Sequence, residues 1–263
     1  MSVSTTRRKE LPAHELVEVL RLMKGSDSVE LKLTVPESDQ LPTALALGLD
    51  PLDAQIRLVF FFDTPDLRLN RSGVVVRARR IQGKAGDSVV KLRPVVPEEL
   101  PKGTRNSPNL KVEVDTMPGG YMCSGSMKSR LGPDAVKAAL RGGGTVSDLF
   151  SKEQRKFFTA HAPSGIGLDD LSVFGPVFAL KLKSIPSDFG RPLVAELWLY
   201  PDGTRILELS TKCLPSEAFQ VTAESQAYLT GKGVSLDGEQ QTKTKTALEF
   251  FRTARDATEA EQG

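Results

Sequence analysis

The chain has 263 residues, with 35 basic and 33 acidic side chains, two cysteines and two histidines. That length suits one large domain or two small ones. No apolar run approaches the roughly 18 residues a membrane span needs, and the N-terminus lacks the apolar core of a signal peptide.

Cys123 and Cys213 give neither a disulfide framework nor a metal-ligand spacing, so a reducing cytoplasm is the expected compartment and no membrane is expected as partner. His14 and His161 are isolated as well. Zinc chemistry and Ser/His or Cys/His nucleophiles therefore have no material to work with. Near-balanced charge gives no argument for nucleic acid, which is disfavoured as partner.

In chain order, an amphipathic helix is expected through about Lys24, with Leu16, Val19, Leu20 and Met23 on one face and Gly25 as its stop. VELKLTV (29–35) then alternates: its odd positions are apolar, and Glu30, Lys32 and Thr34 share the other face of a strand. A helical stretch around 41–49 leads to a strand from Ile56 to Phe62, a DTPD turn and a second strand after Ser72-Gly73.

VVVRARR places Arg77 and Arg79 on one face, SVVKLRP does the same with Lys91 and Arg93, and LKVEVD sets Lys111, Glu113 and Asp115 against Val112 and Val114. Residues 94–110 read as a Pro-rich loop and 117–146 as a Gly/Ser-rich insertion or lid with one helical piece. LFSKEQRKFF reads as a helix or a bent strand. FALKLKS, LVAELWLY and RILELSTKC return to the alternation, with Lys181 and Lys183, then Glu196, then Glu208, Ser210 and Lys212 on their polar faces.

Two helical patterns follow, and 256–263 read as a frayed tail. Trp198 and Phe60 to Phe62 sit in strand patterns and read as packing. The glycine runs at 119–120 and 142–144 lack the form of a phosphate-binding loop. Without a repeat or a shift in composition, residues 1–263 read as a single domain.

One strand with a charged face is ordinary, since antiparallel sheets commonly turn one side to water. The set is different, because like charges recur two residues apart. Neighbours across paired strands approach to about 5 Å, and at an effective dielectric of about 20 such a pair repels by roughly 3 kcal/mol. Repetition of that cost suggests a compensating anion. A sheet closed into a barrel with its polar face inward brings both signs around one central site, suited to a phosphate chain bridged by Mg²⁺ or Mn²⁺.

FFFDTPDLRLNRSGVVVRARR resembles the segment of CYTH-domain proteins, or triphosphate tunnel metalloenzymes, in which a Tyr-Phe-Asp-Thr-like turn precedes a strand with paired arginines. VELKLTV is similar to that family's opening acidic and lysine strand, VVKLRP to its lysine strand, KVEVD to its central acidic strand and RILELSTK to its closing one, in the same order. The resemblance runs from about Val29 to Phe251.

It implies an α+β fold: an eight-stranded antiparallel β-barrel with a charged interior and surrounding helices. It also implies a divalent-metal-dependent phosphohydrolase acting on inorganic triphosphate, polyphosphate, or a nucleoside or thiamine triphosphate. Class IV-like adenylate cyclisation and non-catalytic binding of a polyphosphate or phosphoryl ligand are the alternatives. The oligomeric state is open, a homodimer being one option.

By the same resemblance Glu30, Lys32, Arg77, Arg79 and Lys91 are the expected catalytic set, with Arg93, Lys111, Arg155, Lys181, Lys183 and Lys212 holding substrate. Glu30, Glu113, Asp115, Glu196 and Glu208 are the expected ligands of Mg²⁺ or Mn²⁺. Ser28 and Ser210 stand where the family pattern has further carboxylates, so both acidic pairs are halved and Glu196 is the substitute ligand. Against every assignment stands a plain alternative, that these charges form structural salt bridges or are solvated.

Overall fold

The computed structural model describes the backbone of residues 13–262 and the side chains of 15–255. Nine strands carry the architecture: β1 (Ser28–Val35), β2 (Gln55–Asp63), β3 (Val74–Ile81), β4 (Lys84–Leu92), β5 (Leu110–Met117), β6 (Gly120–Leu131), β7 (Ser172–Ser184), β8 (Leu193–Leu199) and β9 (Arg205–Cys213). The helices are α1 (Ala13–Lys24), α2 (Gln40–Ala46), α3 (Arg68–Arg71), α4 (Lys102–Arg105), α5 (Ala135–Ala138), α6 (Lys152–His161), α7 (Ala218–Gly231) and α8 (Lys243–Gln262). Hydrogen bonding closes the sheet in the order β1-β5-β6-β4-β3-β2-β7-β8-β9.

Three expectations are corrected here. The barrel has nine strands instead of eight, and β1 pairs with β5 in parallel while its other neighbour, β9, is antiparallel. The parallel contact is pinned by Asp27, which accepts from the Val112 amide at 2.7 Å and from Arg105 at 2.9 Å, while its own amide donates to the Val112 carbonyl. Segment 117–146 is not a lid: it contains β6, a full wall of the barrel between β5 and β4. The chain beyond Arg255 continues the helix α8 to Gln262. The ambiguous LFSKEQRKFF resolves as helix, with Ser151 as the N-cap of α6.

The pleat sends alternate residues of each strand inward and outward. The outward set, including Val29, Val76, Val90, Val112 and Val114, is buried with Val19, Leu22 and Met23 of α1, Phe157 and Phe158 of α6 and Val221 of α7. Leu33, Val35 and Leu209 form a second outer cluster with Leu229 and Val234. The hydrophobic core therefore lies between the barrel and its helices, and the barrel interior is left to polar groups and to one apolar cluster at one end.

Two local devices hold the wall in place. Asp63, in the DTPD turn, is buried and accepts from the amides of Thr64 (2.7 Å), Leu69 (2.9 Å) and Asn70 (2.9 Å), which fixes α3 and the start of β3. Gln154 of α6, fully buried, accepts from the Ser88 hydroxyl and donates to the carbonyls of Ser88 and Met127, tying the helix to β4 and β6. Leucine at this position leaves buried partners without hydrogen bonds, a loss of about 1–3 kcal/mol per group. Gln154→Leu is therefore expected to lower the denaturant midpoint in an unfolding titration without altering the slope.

Candidate functional site in the barrel interior

The register places the inward residues in layers. Glu30 lies opposite Asp115 on β5 and Lys212 on β9, Lys32 opposite Ser210, and Glu208 opposite both Thr34 and Glu196. Glu196 in turn faces Lys181, and Arg79 faces Asp87. Phe61, Val59, Val75, Phe174 and Trp198 also point inward and pack against Ala247 and Leu248 of α8, closing one end of the barrel.

Charges in the interior form two linked groups. In the first, the Lys32 ammonium lies 3.3 Å from Glu30 and 3.1 Å from Asp115, and Asp115 reaches Lys91 at 3.4 Å with its other oxygen. Burial opposes the charge on Lys32, but Glu30, Asp115 and Glu208 outweigh it and hold this lysine above its ordinary value. In the second, the Lys243 ammonium, at the start of α8, sits 2.6 Å from Glu196 and 2.9 Å from Glu208, while Lys181 meets Glu196 at 2.5 Å. Burial works against ionised Glu196, yet Lys243 and Lys181 pull it well below the usual carboxylate range.

Between the groups stands a surplus of half-buried cations. Arg79 is held by Asp87 in a fork of two hydrogen bonds, 2.7 and 2.8 Å. Neither Arg77 nor Arg93 forms an ion pair among the described residues, and the Arg77 Nε is buried with no hydrogen-bond partner. Burial, with Arg79 adding repulsion, pushes the Arg77 guanidinium down to about 10, still charged at neutral pH. Lys91 is lowered first by burial, partly restored by Asp115, and lowered again by Lys32, Arg77 and Arg93. An unpaired guanidinium among other half-buried cations is an unfavourable arrangement that an anion relieves.

The other expected residues fall in different places. Glu113 is bound by Lys212 and accepts from Ser28 at 3.1 Å. Ser210 donates to Glu30 at 3.2 Å, so both serines at the departing positions support a neighbouring carboxylate. Lys111 and Lys183 are exposed at the open mouth of the barrel. Arg155 does not close the tunnel: it lies on α6 outside the wall and donates to the carbonyls of Ser147 and Phe150.

Sequence reasoning missed Lys243, Arg57 and Asp87. Arg57 approaches Glu196 at 3.9 Å and bonds Gln55 at 2.8 Å. The alternating phase of Lys91 and Arg93 runs back to Asp87, and that of Val59 and Phe61 to Arg57, so both carried a signal. Lys243 carried none, because its place depends on where α8 crosses the barrel.

No family model matches the sequence, and no curated protein matches it. Among solved structures, the chain is similar to a candidate adenylyl cyclase from Hippeastrum in which triphosphatase activity is dominant. That likeness has a TM-score of 0.62 at 16% identity, over 86% of this chain and 95% of that one. A candidate adenylate cyclase from Bacillus halodurans gives a TM-score of 0.57 at 14% identity, over 84% and 97%. The chain shares their fold. The resemblance to CYTH-domain tunnel proteins, carried by the charged strands, thus holds at the level of the fold.

Mg²⁺ is commonly held by one or two carboxylates while substrate phosphates complete its shell. The tunnel's donor set fits that mode, with Glu30 and Asp115 directly opposed and Glu208 facing the same lysine. Among the described residues no group of three ligating side chains could hold a metal by itself.

Asp115 is the shared counter-charge of Lys32 and Lys91, and breaking a buried pair by removing one partner is worth about 3–5 kcal/mol. Asp115→Asn is expected to lower the thermal midpoint markedly, with part of the loss recovered on adding inorganic triphosphate. Recovery by sodium chloride of equal ionic strength would instead indicate general screening.

Proposed function

We infer that this chain is a CYTH-type tunnel protein that binds the phosphates of a triphosphate compound inside the barrel and hydrolyses the terminal phosphoanhydride. The observation that carries the reading is the half-buried Arg77, whose buried Nε has no hydrogen-bond partner, beside Lys91 and Arg93, where the carboxylates within electrostatic reach, Asp115, Asp87 and Glu196, are each already paired with another cation. A linear polyphosphate supplies several negative charges in a row, which the strand spacing of these side chains suits. Arginine grips phosphate oxygens through paired donors and lysine as a compact charge.

In this reading Arg77, Arg93 and Lys91 hold the chain and Lys32 neutralises charge at its reacting end. Glu30, Asp115 and Glu208 are the candidates for holding Mg²⁺ or Mn²⁺ and for orienting water. The bound ion would neutralise charge on the phosphoryl oxygens. Burial works against the charge on Glu30 and Asp115, but Lys32, joined at Asp115 by Lys91, holds both carboxyls below their ordinary values. No covalent intermediate is required, since in-line attack by water needs positioning and charge neutralisation only.

A second reading is favoured by a particular feature. Ser28 and Ser210 occupy the positions of two carboxylates, and Lys243 spans Glu196 and Glu208, so the acidic donors are few and engaged. That arrangement suits a protein that retains the polyanion and does not turn it over.

Purified protein is incubated with inorganic triphosphate, and separately with ATP, in Mg²⁺, Mn²⁺ or chelator, and orthophosphate and cyclic AMP are measured. Metal-dependent orthophosphate release, lost in Glu30→Gln, is the expected result. Arg77→Ala is expected to weaken triphosphate binding about 10–100-fold, as hydrogen bonds to charged groups contribute roughly 1.5–3 kcal/mol. Binding that depends on Arg77 without any release selects the second reading, and absence of binding overturns both.

A further inference from the structure

Much of the barrel's outer face is buried under helices, but one strip of it is not. The register sets Arg80 of β3 beside Leu58 of β2, Leu58 beside Phe178 of β7, and Phe178 beside Leu199 of β8. Each alternates with an inward residue, Arg79, Val59, Ala179 or Trp198, so the four form one transverse row on the outside of the wall. At ordinary strand spacing the row is about 14 Å long. Ile56 and Leu180, paired with each other one step toward the open mouth, widen it. Phe178 is 37% exposed, and Ile56, Leu180 and Leu199 are half-buried and join none of the buried clusters among the described residues.

The strip runs into a cavity of about 640 Å³ walled by Ile56, Leu58 and Ile81, with Arg80 and Lys84 as its cations and Asp134 as its acid. The β3–β4 hairpin forms one side and is held there by the Gln82 amide, which donates to the Ile56 carbonyl at 3.0 Å. None of the three charges is in an ion pair among the described residues, and the Arg80 Nε is buried without a hydrogen-bond partner. A guanidinium stays charged throughout the working pH range. Apolar walls around it raise the cost of leaving it unmatched.

We propose that this cavity and the strip beside it bind an amphiphilic anion, with its acidic head on Arg80 and Lys84 and its apolar chain along Leu58, Phe178 and Leu199. The site lies on the other side of the wall from the tunnel, so it stands whatever the tunnel binds.

Chemistry selects the ligand. A purely polar anion leaves Phe178 and Leu199 in water, and a neutral hydrocarbon leaves Arg80 unmatched. One acidic head on an apolar body satisfies both, and small-molecule sites are commonly apolar with a few polar groups that fix orientation. Arginine grips carboxylate and phosphate alike through paired donors, so the head is one of these two. A second copy of the chain pressed against the same face would bring two cations and one acid to two cations and one acid, a poorer electrostatic match.

The test is calorimetry with octanoate, decanoate, dodecanoate, decyl phosphate and decanol, each below the concentration at which it aggregates. Wild type is compared with Arg80→Met and Phe178→Ser, both at partly exposed positions where unfolding midpoints close to wild type are expected. Each methylene buried on the strip is expected to raise affinity about threefold. Arg80→Met should weaken decanoate and decyl phosphate about tenfold and leave decanol unchanged, since the charged contact is lost and an apolar stem remains. Phe178→Ser should reduce the gain per methylene.

Whichever of decanoate and decyl phosphate binds more tightly identifies the head, and either order sustains the proposal. Decanol binding as tightly as decanoate, or wild-type affinity in Arg80→Met, overturns it. Absence of binding overturns it too, and sedimentation then shows whether a dimer dissolved by Phe178→Ser covers the strip instead.

Discussion

The constraint on which this structure depends is the burial of many charges inside a closed sheet. A barrel normally fills its interior with apolar side chains, whereas here the apolar faces of the strands turn outward to the helices and the inner face must balance its own charge. Asp115 is the pivot: one oxygen meets Lys32 and the other meets Lys91, so one carboxylate compensates ammonium groups from two strands. Its position is set by the parallel pairing of β1 with β5, which brings Glu30 opposite Asp115. An antiparallel neighbour in another register would present a different set of groups to Lys32.

The same constraint explains α8. Glu196 and Glu208 are direct neighbours across β8 and β9, and two carboxylates side by side repel. Lys243 lies between them, 5.2 Å from the centre of the Trp198 ring, which adds a cation–π contact. The helix thus seals the barrel with its apolar residues and neutralises the acidic pair with its first one. Among the described residues of the interior, Arg77 and Arg93 are in no ion pair, and this shortfall of negative charge is the ground for proposing a polyanion as ligand.

Ser28 and Ser210 acquire a meaning in this setting. Each stands where the resembling family has a carboxylate, and each donates a hydrogen bond to a carboxylate that remains. The remaining acids are consequently fixed by hydroxyl and ammonium donors. With hydroxyls in place of two acids, the electrostatic balance of the tunnel lies further toward its cations.

Much of the barrel was legible in the sequence because a strand with one buried face must alternate, and Glu30, Arg77, Lys91, Asp115, Glu196 and Glu208 all keep that phase. The same periodicity gave the inward set, since a one-residue slip would have turned every charge outward. Alternation says nothing about partners. It could not give the parallel contact of β1 with β5, and it concealed β6, where Cys123, Gly125 and Met127 alternate with Ser124, Ser126 and Lys128 but give too small a contrast in hydropathy to mark a strand.

Nor could it separate a lysine in the charged cluster from one at the rim: Lys181 and Lys183 share a phase and differ only in height along the tunnel axis. Helical periodicity likewise assigned Arg155 no partner, and it lies outside the wall. What the sequence determined was which side chains face inward. What only the tertiary structure decided was which of them meet, because strand order, register and the crossing of α8 are set by packing between segments far apart in the chain.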